Sequence, residues 1–266
     1  MLNCPELVNP HYVLYLPDAL HAAYRDELSH RGLLEAAIAG STEKHIHGGP
    51  TVEQTLEHFK FRFPNSASRV VCVIVDPHES FASIPIEILE SFSSHRIAVL
   101  DVACGAGASL FALLSVICAA RAHKLVPTLP LTIGVLAADI SPTALELYSA
   151  LSERLAPTLA DQGLYLDVST RTWDAAQADQ TSALCDTWFQ MHSDANEYFV
   201  LVGNLSGVGA QLAESFRRSF EHITERIANV ESTMLWIEPA VKKGIIEKLG
   251  KILSAAWLKR TRAVPF

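Results

Sequence analysis

Between Arg96 and Glu238 the chain repeats one grammar: a short apolar run rich in β-branched residues, a turn bearing an acid or an amide, and a segment with helical spacing. Ile97–Val102, Leu131–Asp139, Leu164–Thr172, Tyr198–Gly203 and Thr233–Ile237 read as strands. Helices are predicted over Ala108–Ala122, from Ser141-Pro142 to about Leu155, over roughly Ser182–Met191, over Gln211–Ala228 and over Val241–Trp257. Strands apolar along their whole length are buried on both faces. Crossover helices on both sides of a parallel sheet supply that burial. The expected fold is therefore α/β, with a doubly wound, mostly parallel sheet.

Residues 1–95 follow a different pattern and are expected to form a mainly helical cap that recognises the substrate. Leu20, Ala23, Tyr24, Leu28, Leu33, Leu34 and Ile38 share one side of a helix predicted over Pro17–Ala39. Thr51-Val52-Glu53-Gln54 fits a capping box that opens a helix to about Phe61. Arg69–Asp76, rich in valine and isoleucine, predicts a strand or a buried β-branched segment, and Pro85–Ser91 predicts a short helix. The division into residues 1–95 and 96–266 rests on this change of pattern.

Composition narrows the function classes. With 266 residues, 49% of them apolar, the chain can build its own core without disulfides or metals. The five cysteines are scattered and form no CxxC pair, so a reduced, cytoplasmic protein is expected. The start of the chain has no basic and apolar leader pattern. The longest apolar run, Leu110–Ala120, is too short for a membrane span, and no membrane partner is expected. The net charge of −8 disfavours nucleic acid, except at residues 240–266, where seven Lys or Arg stand against one acid.

Ligands of doubly wound sheets bind at the carboxyl ends of the strands. Here those ends carry Asp101, Asp139, Asp174 and Asn204. Gly105 and Gly107 follow the first strand, but the third glycine of a dinucleotide fingerprint is replaced by Leu110. A carboxylate beside the turn would repel a pyrophosphate and suit a ligand with an ammonium or sulfonium group. Each residue also has a plain structural reading. The glycines serve packing, Asp139 a helix cap, Asp174 and Asn204 turns, and Cys104 a small buried side chain.

In these motifs the chain resembles the class I, Rossmann-like S-adenosylmethionine-dependent methyltransferases, over about residues 96–240. Asp101-x-x-Cys104-Gly105-x-Gly107 is similar to the family's first motif. The resemblance implies that Asp101, Ala103, Cys104, Gly105 and Gly107 surround the methionine part of S-adenosylmethionine. It implies that Asp139 grips the ribose hydroxyls with Ile140 beside the adenine. It implies that Asp174 and Ala175, in Trp173-Asp174-Ala175, meet the adenine. Asn204, in Gly203-Asn204-Leu205-Ser206-Gly207, falls where the family has its acceptor motif. It is the candidate catalytic residue for in-line methyl transfer, as well as a cofactor contact. The Leu205-Ser206-Gly207 that follows departs from the proline-rich form used on amino groups.

Other features fill out the expectation. His58–Arg69 is dense in aromatic, arginine and hydroxyl residues and reads as a lid or acceptor site, with Arg62 and Arg69 as the substrate-binding candidates. His45 and His47 beside Glu43 lack a third ligand, so no metal site is expected. The basic segment 242–253 is an amphipathic helix that would either cover the sheet or touch nucleic acid or an acidic partner. The methyltransferase family normally ends in a two-strand hairpin, and here Leu258–Phe266 are expected to supply one short strand in its place. An incomplete sheet edge would call for another element, a protein partner or a second copy. The alternative to an enzyme is a catalytically silent relative acting as a scaffold or regulatory subunit. The methyl acceptor is left open.

Overall fold

The computed structural model describes residues 2–42, 46, 48–81, 83–203, 205, 213–238 and 261–265. Five strands, β1 (Arg96–Val102), β2 (Leu131–Asp139), β3 (Leu164–Thr172), β4 (Glu197–Gly203) and β5 (Ser232–Glu238), form an all-parallel sheet in the order β3-β2-β1-β4-β5. A sixth strand, β6 (Thr261–Pro265), pairs parallel with β5. The one short strand expected from Leu258–Phe266 is thus present, parallel to β5, in place of the two-strand hairpin that the resemblance implied. The helices are α1 (Asp18–His30), α2 (Leu34–Ala39), α3 (Val52–Val75), α4 (Ile84–Ser91), α5 (Ala108–Ala122), α6 (Pro142–Asp161), α7 (Ala178–Met191) and α8 (Ala213–Ile227). This is a Rossmann-like, doubly wound α/β fold.

The strands alternate their side chains between two cores. Ile97 and Val99 pack with Phe111, Leu113 and Leu147 on one face, while Ala98, Leu100 and Val102 pack with Trp188, Phe220 and Trp236 on the other. The strand order reverses at β1, which has β2 on one side and β4 on the other. The crevice at the carboxyl ends of these strands is where such sheets hold ligands.

The amino-terminal region differs from its prediction in two places. The helix expected over Pro17–Ala39 is broken into α1 and α2, with Gly32 in the left-handed region at φ 68°. The helix expected to stop near Phe61 and the strand expected over Arg69–Asp76 are one helix, α3, continuous through Pro64. Pro64 has no N–H to give the Lys60 carbonyl. The Tyr24 hydroxyl lies 2.7 Å from that oxygen and satisfies it. Val70, Val71, Val73, Ile74 and Val75 are all buried in α3, which packs against α5. A β-branched run buried on every side shows no helical period, and for that reason it imitated a strand. Two helices of the sheet region are longer than predicted: α6 reaches Asp161 and α7 starts at Ala178.

Residues 2–92 share a core with the sheet. Phe59, Phe63, Val70 and Ile74 belong to the cluster that holds Phe111 and Leu147. Glu27 of α1, 1% exposed, accepts from Arg31 Nε at 2.5 Å and from Arg154 Nε of α6 at 3.0 Å. A buried carboxylate is tolerated when paired in this way, and it anchors α1 to α6. Among the described residues no helix is long and apolar enough to cross a membrane. Glu43, His45, His47, the segment 239–260 with its predicted helix, and Asn204 lie outside the described residues.

Candidate functional site

The turn after β1 carries unusual backbone. Ala103, Gly105 and Gly107 all have positive φ, at 51°, 55° and 82°. For alanine this conformation is strained, and such strain concentrates at sites where geometry serves a ligand. The two glycines do different work. At Gly105 a Cβ would meet nothing within 4 Å, so its backbone is open to a ligand. At Gly107 a Cβ would run into the Phe111 and Tyr148 rings, so this residue lets α5 pack tightly under the turn.

Asp139 closes the turn from β2. Its Oδ2 accepts from Gly105 N–H at 2.8 Å, and its Oδ1 accepts from Ser141 N–H at 2.9 Å. Burial pushes its carboxyl above the ordinary range, opposed by backbone N–H groups of Ser141, Gly105 and Ile140. Ser141 in turn caps α6 by accepting from Ala144 N–H at 3.2 Å. From β3, Trp173 N–H donates to the Asp139 carbonyl at 2.9 Å. The Trp173 indole donates to Thr181 Oγ1 at 2.9 Å, and that hydroxyl continues through Ser219 to the Ala175 carbonyl. This buried chain fixes the Trp173 ring. Asp174 Oδ1 accepts from Ala176 N–H at 2.9 Å.

These elements bound a cavity of about 590 Å³, within the usual range for a small-molecule site. Of the candidates from the sequence, Ala103, Cys104, Gly105, Asp139, Ile140, Asp174 and Ala175 line it. Asp101 and Gly107 do not. Asp101 shares its face of β1 with Ile97 and Val99, so it points into the core beneath the turn and is only 1% exposed. Tyr148 O–H donates to its Oδ2 at 3.1 Å, while Oδ1 has no hydrogen-bond partner among the described residues. Burial, reinforced by the Asp139 charge, pushes its pKa up to about 8. It is therefore mostly uncharged at neutral pH and is not a counter-charge on the rim. Burial and the fields of Asp101 and Asp139 push the Cys104 thiol well above its ordinary range, which disfavours its thiolate form.

Arg62 and Arg69 do not line the cavity either. Arg69 lies in the fields of Arg62 and of Glu238, a carboxylate 1% exposed at the end of β5. Burial lowers the Arg69 pKa, and Glu238 works against that. The side chains of α3 that reach the cavity are Thr55, His58, Phe59, Phe63 and Ser66, spaced three and four apart. Thr55 Oγ1 stands 2.7 Å from Ser141 Oγ and donates to the Gly49 carbonyl at 3.0 Å. This joins α3, α6 and the Gly48–Pro50 rim. Phe216 of α8, with Gly203 and Leu205, lines the cavity near the end of β4. The sequence marked the density of His58–Arg69 but pointed to its arginines; the spacing of the aromatic residues was the more useful signal.

Neither the models of known protein families nor the curated proteins give a match to this chain.

Proposed function

We propose that this chain is an S-adenosylmethionine-dependent methyltransferase. The observation that carries this reading is one cavity continuous across the ends of β1, β2 and β3, where the glycine turn, Asp139 and Trp173-Asp174-Ala175 meet. The residues fit the nucleoside cofactor. A carboxylate has about four lone-pair sites. Asp139 uses two on backbone N–H groups, which leaves capacity for ribose hydroxyls. The open face of Gly105 admits the methionine part. Ile140, Trp173 and Ala175 offer apolar surface for the adenine, with Asp174 beside them as an acceptor for its amino group.

When bound, the cofactor supplies an electrophilic methyl group on a sulfonium centre. The chain's own work is positioning and exclusion of water. The strained turn fixes one end of the ligand and Asp139 the middle. Gly203, with Asn204 next in sequence, belongs to the acceptor side, and the positioning role of Asn204 is part of this proposal.

One observation favours a second reading. With β6 parallel, the strand order β3-β2-β1-β4-β5-β6 is also that of dinucleotide-binding domains. Leu110 at the position of the third fingerprint glycine opposes it. Calorimetric titration separates the two. Micromolar binding of S-adenosylmethionine and its demethylated product is expected, weakened at least about tenfold in Asp139→Ala. That loss corresponds to about 1.4 kcal/mol. Binding of NADH in place of S-adenosylmethionine would overturn the methyltransferase reading.

A further inference from the structure

We infer that this chain forms a two-fold homodimer through the outer edge of β3, a strand that is complementary to itself when two copies run antiparallel. This stands apart from the methyltransferase reading and does not need it.

Three observations lead there. The first is the edge itself. β3 is the outermost strand on its side of the sheet, and Tyr165, Asp167, Thr170, Arg171 and Thr172 are exposed along it. Edges of this kind are usually blunted by a short strand, a proline, a lysine or a bulge. β3 is nine residues long, holds neither proline nor lysine, and pairs with β2 residue for residue without a bulge.

The second observation is the parity of the backbone. Leu131 N–H donates to the Gly163 carbonyl at 2.8 Å, and Trp173 N–H donates to the Asp139 carbonyl at 2.9 Å. Bonds of a parallel ladder recur at every second residue, so the odd-numbered residues of β3 turn N–H and C=O towards β2. Those of Leu166, Val168, Thr170 and Thr172 turn outward. An antiparallel partner exchanges bonds with them only where even stands opposite even.

The third observation is charge, which selects one register. With the two-fold axis at Ser169, Val168 stands opposite the partner's Thr170 and Leu166 opposite the partner's Thr172. Asp167 then stands opposite the partner's Arg171 on both sides of the axis, at the non-bonded positions where side chains come closest. An axis at Asp167 or at Arg171 would set like charges face to face. Arg171 Nη1 donates to Thr187 Oγ1 of α7 at 2.6 Å, which holds the guanidinium and leaves further donors for a carboxylate. On the other face of β3, a groove of about 490 Å³ lies between α6 and Thr170 and Thr172, lined also by Leu145, Ser149 and Ala150. This register brings the partner's Val168 and Leu166 to that groove. Its acids, Glu146 and Glu153, are exposed and therefore screened by salt. Tyr165, 50% exposed, falls opposite the partner's Trp173 and loses its apolar surface to solvent no longer.

The test is sedimentation velocity on the full chain, which is expected to show a dimer in the micromolar range. Asp167→Arg and Arg171→Asp each set like charges across the axis and should weaken association at least about tenfold. An equimolar mixture of the two variants sets opposite charges together again and should associate as the wild type does. Misfolding of either variant would not be rescued by mixing. Ser169→Cys places thiols at the axis, close enough to bridge, and should give a disulfide-linked dimer on mild oxidation. The wild-type cysteines, buried or half-buried, should give none. The inference is overturned by a wild-type chain that stays monomeric at about 100 µM. It is equally overturned by a dimer that survives both charge reversals, by a mixture that stays monomeric, or by a dimeric Ser169→Cys chain that fails to cross-link.

Discussion

The two walls of the cavity are built on different principles. The sheet wall is made of backbone and short polar groups: a strained turn, a carboxylate that accepts two N–H bonds, and an indole locked by hydroxyls. The cap wall is made of side chains on one helix, with phenyl rings packed on Tyr24 and a single hydroxyl pair tying α3 to α6. Parallel strands end where their hydrogen-bonded register ends, so the sheet wall follows from topology alone. The cap wall depends on long-range packing of α3 on α5 and α1. Shared ligand chemistry is expected on the first wall and specificity on the second.

The largest effect that would break this contrast is at Gly107. Gly107→Val combines a left-handed φ with overlap against Phe111 and Tyr148, and is expected to cost about 4 kcal/mol. Urea denaturation would measure it, and a loss under about 1 kcal/mol would mean that the sheet wall yields as readily as the cap. Next comes Asp101. Its folded pKa of about 8 exceeds the ordinary 3.8, so the folded state binds more protons between these values. Its stabilisation is complete below about pH 4 and is lost as pH rises towards 8, with a slope approaching about 1.4 kcal/mol per pH unit. Asp101→Asn keeps an acceptor for Tyr148 and cannot ionise, so its stability profile should be flatter over that window. Parallel profiles for the two proteins would contradict the burial argument.

The smallest effect is on the cap. Tyr24→Phe leaves the Lys60 carbonyl without the hydroxyl that replaces the missing Pro64 N–H, at a cost of about 1 kcal/mol. Hydrogen exchange should quicken in α3 around Pro64 and stay unchanged in β1 and β2. A uniform change across the molecule would show that the two walls open as one unit.

Legibility in the sequence followed the same division. β2 and β3 begin and end at the residues expected from the sequence, and the acids at strand ends pointed to Asp139 and Asp174 as cavity residues. Asp101 belonged to the same list, yet strand alternation already separated it: residues 97, 99 and 101 face one core while 98, 100 and 102 face the other. In the cap, Pro64 and the Val70–Val75 run argued locally against a helix. Tyr24, forty positions upstream of Pro64, supplies the compensation, and no local window of sequence contains both. Arg62 and Arg69 were conspicuous by charge, but the cavity is met by their aromatic neighbours.

The hydroxyls of Ser141 and Thr55 run in one direction, from the Ala144 amide at the head of α6 to the Gly49 carbonyl on the rim. The last link is a neutral hydrogen bond worth about 1 kcal/mol. A change at the head of one helix is therefore relayed, through two hydroxyls, to the edge of the chamber.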